Sequence, residues 1–250
     1  MEGKRCPRPD ENHQISKTVS DPNLNNKQCN VNFDVLYTNA DSLCNKRDEL
    51  QILLSSFPCK SCLIVITEVN AKNSQTAILE TEININGYNI FGCNVGSPSH
   101  RGIAVYVRND ICASEVIVDS LFSEYIFIQV LVGKRPVMTV GAIYRSRSSS
   151  LSNDDNLYKL ISYMNSNFPG RLLLIGDFNF PNIDWSNWSS QSTIISSGNK
   201  FVLCLRKNLL MQHIFSPTRF RGSQTPHILD LVVTNNDLTS EVFYLPFSEK

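Results

Sequence analysis

The stretch that decides the fold is LLLIGDFNFPNIDW, residues 172–185. Its first four residues are apolar and predict a buried strand, and Gly176 follows, where the absence of a side chain permits a sharp turn. Asp177 and Asn179 then project from the tip of that strand. An Asp can accept a proton from water, and an Asn can hold a phosphate oxygen or orient the Asp. The stretch therefore fits hydrolysis of a phosphate ester, although Asp and Asn are also ordinary loop residues.

Around this stretch, runs of β-strands are flanked by separate helices. β-branched residues between turn residues predict strands over 33–37, 62–67, 88–93, 103–107, 113–118, 125–132, 137–144, 228–234 and 241–245. Capping and apolar spacing predict helices over 42–55, 153–167 and 198–210. This order is typical of an α+β or layered α/β domain. Asn39, Glu68, Tyr144 and Asp177 lie at or just after strand ends, so we expect them at one rim of the domain.

The charges are balanced overall but unevenly distributed. The chain has 23 Lys and Arg residues and 23 Asp and Glu residues, so its net charge does not favour nucleic acid as a partner. Residues 200–221 nevertheless contain basic residues and no carboxylate, and a second acid-free group holds Lys134, Arg135, Arg145 and Arg147. Phosphate contacts require such local patches rather than a high global charge. Two solvated faces explain the same pattern equally well.

The N-terminal segment differs from the rest of the chain. It is polar, contains Pro7, Pro9 and Pro22, and has few large apolar residues. Because such a segment cannot bury enough surface to offset the entropy of ordering, we expect residues 1–30 to be a disordered tail and residues 31–250 to form the domain. No apolar signal segment opens the chain and no run approaches membrane-spanning length, so we expect an intracellular protein with no membrane partner.

Seven blocks, in order along the chain, resemble the endonuclease/exonuclease/phosphatase superfamily, the fold of DNase I and exonuclease III. They are VLYTNADSL (35–43), CLIVITEVN (62–70), RGIAVYVRND (101–110), MTVGAIYR (138–145), the GDFN block (176–179), SPTRF (216–220) and HILDLVVTN (227–235). The residues in these blocks are most similar to those of the endonuclease domain of LINE-type, jockey-like non-LTR retrotransposons. The resemblance implies a DNase I-like, four-layer sandwich of two mixed β-sheets flanked by helices, with the site at one rim between the sheets.

The resemblance also implies a phosphodiesterase that depends on Mg²⁺ or Mn²⁺. Glu68 would be the main metal ligand, and Asn39 would support the metal site or hold a phosphate oxygen. The residue chemistry agrees, because Glu68 ends an apolar strand, where a carboxylate is costly unless something binds it. Mg²⁺ needs only one or two carboxylates. Asp41 coincides with an Asp that some relatives use beside the metal, but its place before a predicted helix also fits a contact with the helix macrodipole, which we prefer.

The other polar strand ends receive roles by the same resemblance. Asp177 would orient or deprotonate the attacking water, with Asn179 fixing it. Tyr144 would donate a hydrogen bond to the phosphate, although an edge-strand aromatic has the same sequence appearance. Asp230 would pair with a closing His. Contacts to nucleic acid are implied for Thr218, Arg219 and Arg145.

The end of the sequence departs from the resemblance. Family members close with a Ser-Asp-His block, whereas this sequence runs EVFYLPFSEK to Lys250. His227 is a poor substitute for that His, because three residues along a strand place it and Asp230 on opposite faces. We therefore expect a domain that is incomplete at its C-terminus and impaired in activity.

The sequence as a whole predicts a retrotransposon-type endonuclease that nicks target DNA. Its expected partners are DNA and a reverse transcriptase domain normally downstream in the same polyprotein, and its expected place of action is the nucleus. A non-catalytic remnant that binds DNA or a partner is an alternative. A phosphatase of the same superfamily is another.

Overall fold

The computed structural model describes residues 13–19, 33–72, 78–95, 97, 99–190, 196–219, 225–236 and 241–246. In these ranges the helices are α1 (Leu43–Ser56), α2 (Leu151–Asn167) and α3 (Ser197–Lys207), with a short 3₁₀ turn at Glu80–Glu82. The strands are β1 (His13–Val19), β2 (Phe33–Asn39), β3 (Leu63–Thr67), β4 (Tyr88–Cys93), β5 (Ile103–Arg108), β6 (Cys112–Glu115), β7 (Tyr125–Val132), β8 (Arg135–Tyr144), β9 (Arg171–Asp177), β10 (Ile183–Asp184), β11 (Ser189–Ser190), β12 (Met211–Gln212), β13 (Asp230–Thr234) and β14 (Glu241–Pro246). No helix in the described part of the chain combines the length and the apolar character that crossing a membrane requires.

The strands form two larger sheets and one short pair. The first sheet has the order β14-β1-β2-β3-β5-β4, the second has the order β12-β13-β9-β8-β7-β6, and β10 pairs with β11. Within the larger sheets β2 and β3 are parallel, as are β8 and β9, and the other neighbours are antiparallel. Parallel pairing brings the C-terminal ends of each of these two pairs to one edge of their sheet, which is where the polar strand ends lie.

Strand β9 shows how the layers assemble. Leu173 and Ile175 pack between the two sheets, whereas Leu172 and Leu174 face the opposite way, into the core that α2 and α3 share with the second sheet. This alternation follows from the two-residue period of a strand, and burying each such side chain stabilises the fold by about 1.5–3 kcal/mol. On the far side, Leu50 of α1 packs on the first sheet. The predicted sandwich of two mixed sheets flanked by helices is confirmed.

Gly176 permits a close approach of two strands instead of the predicted turn. Strand β9 continues through Gly176 to Asp177. The φ angle of Gly176 is +151°, and a Cβ atom there would lie 1.8 Å from the carbonyl oxygen of Ile143 on β8. Without a side chain, β9 stays paired with β8 to its last residue, so Asp177 lies beside Tyr144 in the parallel register.

Strand β1 corrects the predicted disorder of the N-terminal tail. Residues His13–Val19 pair antiparallel with β2 on one side and with β14 on the other. The prediction considered only the burial of side chains, whereas a strand between two neighbours is held by main-chain hydrogen bonds. The rest of residues 1–30 lies outside the described residues.

Candidate active site

The carboxylate of Asp177 is held from two sides. Its Oδ2 accepts a hydrogen bond of 3.1 Å from Nδ2 of Asn39, at the end of β2, and its Oδ1 accepts one of 3.1 Å from the backbone N–H of Asn179. Asn179 has a φ of +50°, a conformation that Asn adopts more readily than most residues. Asp177 is only 1% exposed. One bond from the end of β2 and one from the backbone just after β9 therefore fix the orientation of this buried carboxylate.

A second carboxylate, that of Asp230, stands directly opposite Asp177 on the neighbouring antiparallel strand. Its Oδ1 accepts a hydrogen bond of 2.6 Å from the hydroxyl of Tyr37, which also lies 2.9 Å from Oγ1 of Thr67. The sequence analysis did not assign Tyr37 or Thr67 to the site. Tyr37 lies two residues before Asn39 on the same strand, so the shared face of a strand was the signal available for it.

Burial and neighbouring charge act on the acidity of Asp177. Burial raises the pKa of its carboxyl well above the usual range, and the negative charges of Asp230 and Glu68 raise it further. The positive charges of Arg219 and Arg147 work in the opposite direction. Burial also raises the pKa of Asp230. The raised pKa means that the Asp177 carboxylate holds a proton more readily than an exposed Asp does.

Tyr144 ends β8 beside Asp177. Burial raises the pKa of its phenol, and the charges of Glu68 and Asp177 raise it further. The hydroxyl therefore stays protonated at neutral pH and is available as a hydrogen-bond donor to an anion.

Glu68 follows β3 and is engaged by an arginine. Its φ is +54°, and its side chain is 11% exposed. Nη2 of Arg101 contacts both Oε2 of Glu68 and Oδ1 of Asp41. Burial raises the pKa of Asp41, but the hydrogen bond and charge of Arg101 outweigh this effect and lower the pKa overall. Asp41 is thus an ion-pair partner of Arg101, and its contact with the helix macrodipole stays a prediction.

The oxygen donors at this rim suit a hard divalent ion. The carboxylates of Glu68 and Asp41 and the amide of Asn39 are the oxygen ligands that Mg²⁺ prefers, and one or two carboxylates suffice for it. Within the described ranges, no group of three or more His, Cys, Asp or Glu residues is placed to hold a metal ion. Glu68 and Asn39, the predicted ligands of Mg²⁺ or Mn²⁺, lie at this rim, and Arg101 contacts Glu68. Metal binding by them stays a prediction.

Arg145 is buried, so the prediction that it contacts nucleic acid is wrong. Its Nε and Nη2 donate to the two carboxylate oxygens of Asp154 at 2.6 and 2.8 Å. Its Nη1 donates to the carbonyl of Asn179 at 2.8 Å, and Nδ2 of Asn179 donates back to the carbonyl of Arg145 at 3.0 Å. Its backbone N–H donates to the carbonyl of Asp177 at 2.8 Å. Arg145 therefore clamps the end of β9 from inside the protein.

Thr218 also faces inward, in place of its predicted contact with nucleic acid. The residue is 4% exposed, and its Oγ1 accepts the backbone N–H groups of Leu229 and Asp230, each at 3.1 Å. These bonds fix the start of β13, where Asp230 lies.

A basic pocket of about 210 Å³ opens beside Asn179. Its lining residues are Arg147, Asn179, Pro181, Arg219, Thr225, His227 and Leu229. Arg219 and His227 exchange backbone hydrogen bonds of 3.2 Å in each direction, which joins the two segments of the pocket wall. Two guanidinium groups and no carboxylate stand among these described lining residues, so the pocket suits a phosphate group. Arg219 thus lines this pocket, and its contact with nucleic acid stays a prediction.

The fold divides the two basic groups seen in the sequence. Lys134 and Arg135 lie at the start of β8, and this strand of 10 residues puts them roughly 30 Å from its other end at Tyr144. Lys200 forms an ion pair of 3.0 Å with Asp155. Of the basic residues in the two acid-free segments, Arg147 and Arg219 line the basic pocket beside Asn179.

Comparisons with known proteins bear on the family and the fold. Residues 138–248 match the family model described as endonuclease-reverse transcriptase. No curated protein matches the chain. Among solved structures, the endonuclease domain of TRAS1, a telomere-specific non-LTR retrotransposon, has a TM-score of 0.58 at 15% identity and covers 86% of this chain and 99% of that chain.

Two further solved structures have the same architecture. The 3′ phosphatase NExo from Neisseria, bound to a product DNA hairpin, has a TM-score of 0.56 at 16% identity and covers 80% of this chain and 85% of that chain. An endonuclease/exonuclease/phosphatase family protein from Leptotrichia buccalis has a TM-score of 0.54 at 14% identity and covers 81% and 87%. At sequence identities of 14–16%, the structural similarity is evidence for a shared fold only. The chain has the fold of the endonuclease/exonuclease/phosphatase superfamily, and its residues 138–248 match the endonuclease-reverse transcriptase family within it.

Proposed function

We propose that the chain is an endonuclease domain that hydrolyses phosphodiester bonds in DNA with a divalent ion, Mg²⁺ or Mn²⁺. The observation that carries the proposal is the Asp177 carboxylate, held by Asn39 and Asn179 at a rim that also presents Glu68. The basic pocket shares Asn179 with this rim. A proton acceptor, oxygen ligands for a metal ion and a phosphate site therefore lie side by side.

Asp177 is the residue that takes the proton from the attacking water. Its raised pKa favours this role, and a positioned general base typically contributes about a hundred- to ten-thousand-fold to the rate. Asn39 and Asn179 keep the carboxylate oriented. Tyr144, which stays protonated, donates a hydrogen bond to a phosphate oxygen.

Glu68 and the amide oxygen of Asn39 hold the metal ion in this proposal. When bound, the ion supplies charge relief on the phosphate and on the leaving oxygen. Arg147 and Arg219 bind a phosphate of the substrate backbone in the basic pocket. Asp230 completes the site from β13, where it is held by Tyr37.

We infer that DNA is the substrate. The two arginines of the basic pocket suit the phosphates of a nucleic-acid backbone. Among the similar structures, the TRAS1 domain comes from a retrotransposon and NExo is bound to a DNA hairpin. Nicking one strand of target DNA would expose a 3′-hydroxyl that primes a reverse transcriptase. The description of the matching family supports such a partner. In this proposal the protein acts in the nucleus, where the target DNA lies.

A plasmid-nicking assay tests the proposal. The wild-type chain, Asp177→Asn and the surface control Asp155→Asn are incubated with supercoiled plasmid and Mg²⁺ or Mn²⁺, with and without EDTA. We expect slow nicking by the wild type and the control, in line with the impaired activity predicted from the sequence. Asp177→Asn should lose at least about a further hundredfold, and EDTA should abolish nicking. Equal nicking by Asp177→Asn would overturn the assignment. Wild-type protein that binds DNA without nicking it would assign a binding role, and turnover of a soluble phosphate monoester alone would assign a phosphatase.

A further inference from the structure

Arg101 contacts two carboxylates at the rim, that of Glu68, the proposed metal ligand, and that of Asp41. Its Nη2 reaches Oε2 of Glu68 at the end of β3 and Oδ1 of Asp41 in the segment before α1. Its backbone N–H donates to Oε1 of Glu124 at 3.0 Å, which anchors the residue at the start of β5. The guanidinium is therefore placed between two acidic groups by a backbone that is itself held in position.

The surroundings of the guanidinium favour this placement. The Arg101 side chain is 16% exposed, and its Nη1 is buried with no hydrogen-bond partner among the described residues. An unpaired buried donor is costly, so the contacts made by Nη2 are what hold the side chain at the rim. The side chain of Glu68 is 11% exposed, whereas that of Asp41 is 62% exposed. The contact with Glu68 is therefore the better shielded of the two and the less weakened by salt.

The same oxygen atoms are the ones a divalent ion would use. One guanidinium offsets one of the two negative charges, so the pair still attracts a cation, but less strongly than two free carboxylates would. A metal ion that binds Oε2 of Glu68 must share that oxygen with Arg101 or displace Arg101 from it. Two cations that use one set of ligands lower each other's affinity.

We propose that Arg101, whose guanidinium contacts Glu68 and Asp41, is an internal competitor for the divalent ion and sets the affinity of the site for it. This inference rests on the metal site of the proposed function. The alternative is that Arg101 only holds Glu68 in the orientation that binds metal. The two readings predict changes of opposite sign when Arg101 is removed.

Direct Mn²⁺ binding, followed by the electron paramagnetic resonance signal of free Mn²⁺, distinguishes them. The proteins are the wild type, Arg101→Gln, Arg101→Lys and the control Arg108→Gln, whose arginine pairs with Asp110 at the other end of β5. We expect Arg101→Gln to bind Mn²⁺ about fivefold or more tightly than the wild type, within the usual range of coupling between two ligands. Arg101→Lys, which keeps the charge, should show a smaller gain, and Arg108→Gln should show none.

Two further measurements keep the outcome clear. Adding Glu68→Gln to Arg101→Gln should abolish the gain, because the ligand itself is lost. Thermal melts should show that Mn²⁺ stabilises Arg101→Gln more than the wild type, which requires a folded variant. Equal or weaker Mn²⁺ binding by Arg101→Gln, with normal binding by the wild type, would overturn the competition and leave the proposed function intact. If neither the wild type nor Arg101→Gln bound Mn²⁺, the competition and the metal dependence would both be wrong.

Discussion

The hydroxyl of Tyr37 donates a hydrogen bond of 2.6 Å to the carboxylate of Asp230, across the interface between the two sheets. Both residues are buried, Tyr37 at 1% exposure and Asp230 at 8%. Burial raises the pKa of Tyr37 well above its usual range, and the charge of Asp230 raises it further, so the phenol remains a donor. Tyr37, which the sequence did not mark as a site residue, thus holds the carboxylate of Asp230 in place.

Replacing Tyr37 by Phe should destabilise the fold, because Asp230 loses a charge-assisted hydrogen bond without any change in shape. Bonds to charged groups contribute about 1.5–3 kcal/mol, and we expect a loss of that size in the free energy of unfolding measured with urea. Tyr163→Phe, at a position 48% exposed, is the control and should change stability by less than about 0.5 kcal/mol. An unchanged unfolding midpoint in Tyr37→Phe would show that the bond contributes nothing.

Asp177→Asn should make the protein more stable at pH 8 while removing its nicking activity. Burial raises the folded-state pKa of Asp177 above that of the unfolded chain. Its contribution to stability is therefore fully present below the unfolded pKa, about 3.9, and is lost as pH rises through the folded pKa. Since Asn is neutral at every pH, the melting temperature of Asp177→Asn should exceed that of the wild type at pH 8. The difference should shrink toward pH 4, and a difference that is constant with pH would contradict this origin.

The buried Arg145–Asp154 pair should matter more for geometry than for stability. Arg145→Met alone leaves Asp154 buried without its partner, and such a break typically costs about 3–5 kcal/mol. The double variant Arg145→Met with Asp154→Leu should recover most of that loss, because apolar replacements of a buried pair are often neutral. Its nicking rate should still fall by about a hundredfold, since the guanidinium bond to the carbonyl of Asn179 is lost and small displacements of a catalytic group carry such penalties.

Thermal melts and nicking rates measured on the same preparations distinguish the effect of the Arg145–Asp154 pair on stability from its effect on activity. The exposed pair Arg108 and Asp110 provides the matched control, as the double variant Arg108→Met with Asp110→Leu removes an ion pair far from the site. Wild-type nicking by the Arg145/Asp154 double variant would show that the clamp does not position Asn179.

The basic pocket should be visible in the salt dependence of DNA binding. In the Asp177→Asn background, which keeps the substrate intact, Arg147→Gln and Arg219→Gln should each lower the slope of log affinity against log salt by about 1. Arg206→Gln, on α3, is the control and should leave the slope near its original value. Fluorescence anisotropy with a labelled duplex measures all three. Identical slopes in every variant would exclude the pocket from the DNA interface.

The sequence was sufficient for the architecture and for most of the rim. Alternating β-branched residues predicted strand β7 over residues 125–132, as the structure has it, because each of its faces meets a different core. Polar residues that interrupt apolar strands marked Asn39, Glu68 and Asp177, since an unpaired polar group at such a position is costly. Local pattern and the family resemblance together therefore predicted which strand ends form the site.

Sequence pattern failed where a role depends on a distant partner. Arg145 has the same appearance in sequence as Arg147, but Asp154 on α2 buries the first, while the second lines the basic pocket. Arg101 likewise precedes a strand without any local sign that it contacts Glu68. A charged side chain requires either an ion-pair partner or contact with water. Which of the two it has depends on how the helices and strands pack, and the local sequence does not show this.

The pairing of β1 with both β2 and β14 bears on how the domain folds. His13 lies opposite Pro246, so one sheet edge joins segments near the two extremes of the described chain. Contacts that span such a distance form late, because closing a long loop is entropically unfavourable. During synthesis β1 can add to β2 early, but its other edge stays unpaired until residues 241–246 have left the ribosome. Such an open edge is a template for pairing with another chain, so the interval before β14 docks is when this protein is most prone to aggregate.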